Sequence, residues 1–299
     1  ARAMGIQADI VEYGTQSTID LDALETALRA HPSDYYKAVL VTHVDTSTSV
    51  KNDIAAVRAL LDDLGSNALL AVDCVASLGC DEFKMDAWGA DVMVAACQKG
   101  LMVPAGMAFV YFNDKAAERQ KQLPYVSSYW EWGQRANPEI LAHYFCGTAP
   151  THHLYGLRVA LDMIQAEGIE NIWERHATLA KAIWAAVECW GADGPMRMNI
   201  QDKSLRSTAV TALHMGIPHA KNLRNWTQHS AGLTLGIGLG MSTTEDPKGD
   251  GFFRFGHMGH VNAQMILGML STVQAGLIAN NIPHGTGAID AAAHVIAGA

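Results

Sequence analysis

Short apolar runs alternate with amphipathic segments through the first half of the chain, and this alternation limits the fold more than any other feature. The pattern predicts strands over residues 8–13, 38–42, 69–73, 91–95 and 108–112. Between them, residues 20–31 place Leu21, Leu24 and Leu28 on one helical face behind a capping Asp20. Residues 53–64 do the same with Ile54, Val57, Leu60 and Leu61. Strands joined through helices need crossover connections, which make the strands parallel and lay the helices on the sheet's faces. The predicted class is therefore α/β, with a mostly parallel sheet carrying helices on both faces.

Two of these runs end in chemistry. Leu69-Leu-Ala-Val-Asp73-Cys-Val-Ala-Ser77 ends a strand on a carboxylate, and Ala95-Ala-Cys-Gln98-Lys99-Gly100 follows the next strand with an amine. In an open α/β sheet, the carboxyl edge of the strands is where ligands bind. The commonest fate of a lysine is the solvated surface, and an aspartate after a strand is commonly a turn former. Lys99, however, sits in an otherwise uncharged stretch, Val92-Met-Val-Ala-Ala-Cys-Gln-Lys-Gly-Leu-Met-Val-Pro-Ala-Gly106. Lost solvation there favours the neutral, nucleophilic amine. Gly100, Pro104 and Gly106 make a tight turn that lets backbone approach a ligand. A lysine for a Schiff base and an aspartate for a pyridinium nitrogen are what pyridoxal phosphate requires.

The second half of the chain reads differently. Residues 124–150 are irregular and aromatic, with Tyr125, Tyr129, Trp130, Trp132, Tyr144 and Phe145, as functional or interface segments often are. Long helices are predicted over 151–167, stopped by Gly168, and over 169–190. Strand-like 208–213, a helix near 220–228, a strand near 252–256 and closing helices from residue 261 suggest a smaller α+β unit. The predicted division is a large cofactor-binding domain over 1–167 and a small domain over 168–299. The start, Ala1-Arg-Ala-Met-Gly5, reads as the tail of a helix stopped by glycine, so the chain is expected to begin inside a domain whose upstream part is missing.

Net charge −9 argues against a nucleic-acid or anionic-membrane surface, which would need clustered Lys and Arg. No apolar run is long enough to span a bilayer. Cys74, Cys80, Cys97, Cys146 and Cys189 are odd in number and form no CxxC, which suits a reduced, cytoplasmic protein. Gly232-Leu-Thr-Leu-Gly-Ile-Gly-Leu-Gly240 lacks the dinucleotide spacing and reads as a flexible or closely packed segment. His152, His153, His257 and His260 have no carboxylate or Cys partner at ligand spacing, and no metal is expected.

The chain resembles the class V, fold-type I pyridoxal-phosphate aminotransferases, nearest the alanine/serine–glyoxylate group and pyridoxamine–pyruvate aminotransferase. The matching strings run in order over nearly the whole chain: Asp45-Thr-Ser-Thr-Ser49, Val72-Asp-Cys-Val-Ala-Ser-Leu-Gly79, Gln98-Lys-Gly-Leu-Met-Val-Pro-Ala-Gly106, Gly147-Thr-Ala-Pro-Thr151 with Tyr155-Gly-Leu-Arg158, and Phe253-Arg-Phe-Gly-His-Met-Gly259. The resemblance implies a Schiff base on Lys99, which also moves the substrate proton, and Asp73 on the pyridine nitrogen. It implies Val75 against one ring face, Thr46 near the 3-hydroxyl and Gln98 on the phosphate side. Arg254 is expected to bind the substrate α-carboxylate, for which a planar fork suits and Lys would not substitute. Thr148 and Tyr144 are expected to reach the cofactor phosphate of a partner subunit, in a homodimer with shared active sites.

The implied reaction is ping-pong transamination from a small amino acid, alanine or serine, to a small 2-oxo acid, glyoxylate or pyruvate. The alternatives are pyridoxamine–pyruvate aminotransferase, against which Gln98 before Lys99 speaks, and a non-catalytic, truncated dimerising fragment. Cysteine desulfurase needs a mobile nucleophilic Cys, whereas Cys74 and Cys97 flank the cofactor residues as small packing groups. Two departures stand out. The family usually has Gly where Ser49 stands, and an aromatic or His where Gly147 stands. The family's phosphate cup and ring-stacking aromatic belong to a segment before Ala1. A chain that truly began there is expected to bind the cofactor weakly or misfold, because its sheet would expose an edge.

Overall fold

The computed structural model describes residues 1–145 and 147–298; Cys146, among the cysteines read from sequence, and Ala299 lie outside the described residues. Helix α1 (Leu21–Arg29) starts where the Asp20 carboxylate accepts from Ala23 N at 3.0 Å, and it buries Leu24 and Leu28. Strand β1 (Ala38–Thr42) follows, then α2 (Ile54–Asp63), capped by Asp53 and burying Ile54, Val57 and Leu61. Each such side chain contributes about 1.5–3 kcal/mol when taken from water. Strands β2 (Leu69–Asp73), β3 (Val92–Ala96) and β4 (Ala108–Phe112) complete a sheet of order β1-β2-β3-β4. The first three strands are parallel and β4 returns antiparallel to β3. The sheet is thus mostly parallel, as the alternation predicts.

Beyond it come α3 (Asp114–Lys121), the single turn α4 (Gly133–Ala136), α5 (Thr151–Glu167) and α6 (Ile169–Ala192). A second sheet is built from β5 (Arg197–Met198), β6 (Val210–His214), β7 (Gly236–Ile237) and β8 (Phe252–Gly256), in the order β5-β6-β8-β7 with every pair antiparallel. Helix α7 (His219–Ala231) lies between β6 and β7 in sequence, and α8 (Ala263–Ala279) and α9 (Ala288–Ala297) close the chain. One core, with Leu61, Leu70 and Val72, sits between the first sheet and its helices. Another, with Trp190, Leu213, Phe253 and Leu270, fills the second half. No helix is long and apolar enough to cross a membrane among the described residues.

The predicted strand over 8–13 does not form. After a 3₁₀ turn at Arg2–Met4, ended by Gly5 in the left-handed conformation, the chain runs on without a ladder. Ile6 and Ile10 are 54% and 67% exposed, because no strand lies beside them to make an alternating pattern into a sheet. Strand β3 starts one residue later than the apolar run suggests. The Asp91 carboxylate turns inward instead, accepting from Leu70 N at 2.8 Å and Asn113 Nδ2 at 2.9 Å. The glycine-rich 232–240 stretch is closely packed: a Cβ at Gly238 would meet Gly249 O at 2.2 Å.

Candidate active site

Asp73 is the last residue of β2, beside Thr42 at the end of β1 and Val94 of β3. Its Oδ1 accepts from Val75 N at 2.8 Å, a local turn that tips the next residues off the strand. Its other oxygen has no protein partner among the described residues. Lys99 sits three residues past the end of β3 on the same edge of the sheet. Cys97 fixes its loop: the Cys97 N–H donates to Met107 O at 3.2 Å, its thiol to Pro104 O at 3.0 Å, and its carbonyl accepts from Val103 N at 2.9 Å. The bond from Met102 N to Lys99 O, at 3.0 Å, closes the turn.

Backbone contact locks the two loops together. A Cβ at Gly100 would lie 2.1 Å from Leu78 O and 3.1 Å from Cys80 Sγ, so only glycine lets the strand-end loops approach this closely. The C-terminal motif packs on them too, since a Cβ at Gly259 would meet Met102 Cγ at 2.9 Å. Lys99 is partly exposed, where sequence alone predicts a desolvated lysine. It enters none of the ion pairs found among the described residues. Behind Asp73 lies His43, whose N–H donates to Asp73 O at 2.9 Å. Its ring packs against Phe83 and Trp88, and burial pushes its pKa down to about 4. The imidazole is therefore neutral near pH 7, and its Nδ1 is buried without a partner.

Arg254 reaches this edge from the second sheet. Its neighbours Phe253 and Phe255 are buried to 0% and 1%, so strand alternation turns the guanidinium to the opposite face. Arg254 Nε donates to Ile237 O at 2.9 Å, and Nη1 donates to Thr46 O at 2.7 Å. These two carbonyls orient the fork and leave the Nη2 donors for an anion. Burial lowers the Arg254 pKa, and the Asp45 charge opposes that shift. Thr46 thus joins Arg254 across 208 residues of sequence through its carbonyl, a contact that no local pattern encodes.

Asp73 ends β2; Val75, Lys99 and Thr46 lie in the loops that leave the carboxyl ends of β2, β3 and β1; and Arg254, in the middle of β8, is joined to this set through Thr46 O. Gln98 is exposed beside Lys99. Thr148 and Tyr144 are also exposed, in the stretch between α4 and α5, and within one chain they share no hydrogen bond with the others. Sequence reading missed His43, whose burial depends on Phe83 and Trp88. It places Asp45 within a matching string without giving it a role; the Asp45 carboxylate accepts from Ser47 N at 2.9 Å and Thr48 Oγ1 at 2.8 Å and so builds the turn that presents Thr46. An Asp two residues before a Ser is the turn signal that could have found it. A cavity of about 340 Å³ is lined by Asp45, Thr48 and Val50 of that turn and by the segment holding Tyr13 and Thr15.

The family model "Aminotransferase class-V" matches residues 1–232. The chain belongs to the class-V aminotransferases. It is 36% identical over 277 residues to serine–glyoxylate aminotransferase of Arabidopsis thaliana, covering 91% of this chain and 66% of that protein. Among solved structures it is similar to pyridoxamine–pyruvate aminotransferase of Mesorhizobium loti, with a TM-score of 0.80, 28% identity, and 94% and 69% of the two chains covered. It is likewise similar to ureidoglycine–glyoxylate aminotransferase of Bacillus subtilis, with a TM-score of 0.80, 25% identity, and 96% and 71% covered. The chain spans about two thirds of the length of the curated relatives it matches.

Class-V aminotransferases are pyridoxal-phosphate enzymes, and the donor set fits that group. A carboxylate with one oxygen free of protein donors suits a protonated ring nitrogen. An amine outside the ion pairs, on the adjoining loop, suits an aldehyde. The glycine-lined contact of the two loops holds both groups to one backbone frame.

Proposed function

We propose that this class-V aminotransferase moves an amino group from alanine or serine to glyoxylate or pyruvate by a ping-pong mechanism. The observation that carries the reading is Arg254, whose guanidinium is held by Ile237 O and by Thr46 O, the latter on the loop after β1, the strand beside the one that ends on Asp73. Asp73, Val75, Gln98, Thr46 and Lys99 would hold the cofactor. Bound there, pyridoxal phosphate supplies a carbonyl for the amine and a ring that accepts an electron pair. Asp73 keeps the ring nitrogen protonated by placing a negative charge beside it. The Arg254 fork holds the substrate carboxylate in both half-reactions, which leaves the donor's Cα facing the lysine side. Lys99 Nζ takes the Cα proton in one half-reaction and returns a proton in the other.

The same proposal includes a homodimer in which Thr148 and Tyr144 reach the partner's cofactor. Support comes from Tyr155 and Val159, four residues apart on α5 and 78% and 60% exposed, and from Tyr144, 56% exposed. Cytoplasmic residence is supported by free thiols at Cys74, Cys80, Cys97 and Cys189. A domain division at Glu167 is supported by the two separate cores and by Gly168, which stands between α5 and α6.

The test is an absorbance spectrum of the protein with pyridoxal phosphate, before and after borohydride, with Lys99→Ala alongside. A visible band that reduction fixes on Lys99, followed by amino transfer from serine or alanine to glyoxylate, is expected. A cofactor band without transfer to any 2-oxo acid would sink the reading. The likeness to pyridoxamine–pyruvate aminotransferase favours a second reading, in which the vitamer itself is the donor. Release of free pyridoxal from pyridoxamine and pyruvate would establish it.

A further inference from the structure

Ser49 occupies a conformation that favours glycine: its φ is 64°, in the left-handed region, and it is 4% exposed. A side chain kept there despite that cost has work to do, and its hydrogen bonds show what it is. Ser49 Oγ accepts from Ala212 N at 3.2 Å and donates to Thr48 O at 2.6 Å. Ala212 is the cross-strand partner of Arg254, and it is buried. Its N–H faces away from β8, on the side where its carbonyl accepts from Asn199 N at 2.9 Å. Without the Ser49 hydroxyl that N–H loses its acceptor.

The other end of the same short turn holds the guanidinium. The turn is closed by Asp45 N to Val50 O at 3.0 Å and Ser49 N to Asp45 O at 2.8 Å, and Thr46 O receives Arg254 Nη1 at 2.7 Å. Ser207 N to Ser49 O, at 3.0 Å, and Asn199 Nδ2 to Thr48 O, also at 3.0 Å, dock the turn on the second sheet. Ser49 therefore ties the carbonyl that orients Arg254 to the strand beside Arg254. We propose that Ser49 is a positioning residue for carboxylate recognition, holding the turn at residues 45–50 in register with β6 and β8 so that the Arg254 fork meets the carboxylate of an α-amino or 2-oxo acid. This rests on the reading of Arg254 given above.

The test compares two nucleophiles on the cofactor-loaded protein by loss of the visible band. Aminooxyacetate carries a carboxylate, and O-methylhydroxylamine presents the same reacting group without one. The wild-type protein is expected to prefer aminooxyacetate, and Arg254→Gln to lose that preference. Ser49→Ala and Ser49→Gly each remove both hydrogen bonds of the hydroxyl, the one from Ala212 N and the one to Thr48 O, and each is expected to cut the preference by about fivefold while leaving the O-methylhydroxylamine rate within about twofold. Ser49→Gly keeps the test decisive if the alanine variant fails to fold, because glycine takes this φ without strain. A wild-type preference retained in Ser49→Gly, whatever its melting temperature, overturns the proposal. If the wild-type protein and Arg254→Gln react alike with both probes, the reading of Arg254 fails and the role of Ser49 falls with it.

Discussion

A single methyl group at Gly100 tests whether the Asp73 and Lys99 loops are locked as one unit. The Cβ of Gly100→Ala would stand 2.1 Å from Leu78 O. Carbon and oxygen need roughly 3.2 Å or more, so one loop must retreat by about 1 Å. Gly100 is not among the glycines with positive φ, so the penalty is steric rather than conformational. Overpacking of this kind costs about 1–3 kcal/mol, and misplacing a reacting group by about 1 Å can slow a reaction about a hundredfold. Single-turnover conversion of the loaded protein with serine or alanine measures the second effect, and a urea midpoint measures the first. Gly256→Ala is the control, since a methyl there meets nothing within 4 Å. A Gly100→Ala protein with wild-type turnover and an unchanged midpoint would refute the argument, because the loops would then separate freely and the contact would not place Lys99.

Other perturbations follow from the same structure. Asp73→Asn keeps an oxygen for Val75 N but removes the charge, so single-turnover rates should fall about a hundredfold or more with the urea midpoint nearly unchanged. Arg254→Lys gives up the fork and cannot hold Thr46 O and Ile237 O as the guanidinium does, so KM for glyoxylate should rise by about ten- to a hundredfold, more than kcat falls, in steady-state assays. Burial pushes His43 and His257 down to about 4 and about 3, both below their unfolded value of 6.5. The unfolded chain therefore takes up protons that the folded one refuses, and stability present above pH 6.5 drains as the pH falls toward 4. Between pH 7.5 and pH 5 His43 alone accounts for about 2 kcal/mol of that loss, and equal urea midpoints at the two pH values would contradict it. Gly268 lies exposed within α8 with open space around it, so Gly268→Ala should raise stability by about 0.5–1 kcal/mol in the same urea assay.

Local patterns made the first sheet legible. Strands Ala38–Thr42, Leu69–Asp73 and Ala108–Phe112 are short apolar runs with turn residues at their ends, and they fold where periodicity puts them. The helices carry their own caps, as Asp20 and Asp53 show. Residues 8–13 carry the same kind of pattern and form no strand, because a ladder is made by a neighbour and none lies beside them. In the candidate site, Asp73 and Lys99 stand out in the sequence because Asp73 ends its apolar strand and Lys99 follows the next one by three residues. The joining of Arg254 to Thr46 was not, because it crosses 208 residues and uses a backbone carbonyl, which has no signature in sequence. Ser49 shows both limits at once. Its departure from glycine is visible in the sequence, whereas the bond to Ala212 N that gives the hydroxyl its use appears only in the fold.

That bond bears on how the two halves of the molecule must act together. Asp73 and Lys99 leave the first sheet at its carboxyl edge, and the turn at residues 45–50 leaves the same edge from β1. Arg254 belongs to the second sheet, yet its orientation is taken from Thr46 O on the first. If Arg254 holds the substrate carboxylate as proposed, that carboxylate is referred to the frame that carries Asp73 and Lys99. Any swing of the second sheet away from the first has to break the Arg254–Thr46 bond, together with the bonds from Ser207 N and Ala212 N to Ser49. Substrate binding and register of the two sheets then favour one another, since whatever stabilises the fork's position stabilises both. If Arg254 and Lys99 act as proposed, selectivity for α-carboxylates and alignment of Cα with Lys99 are one structural property rather than two.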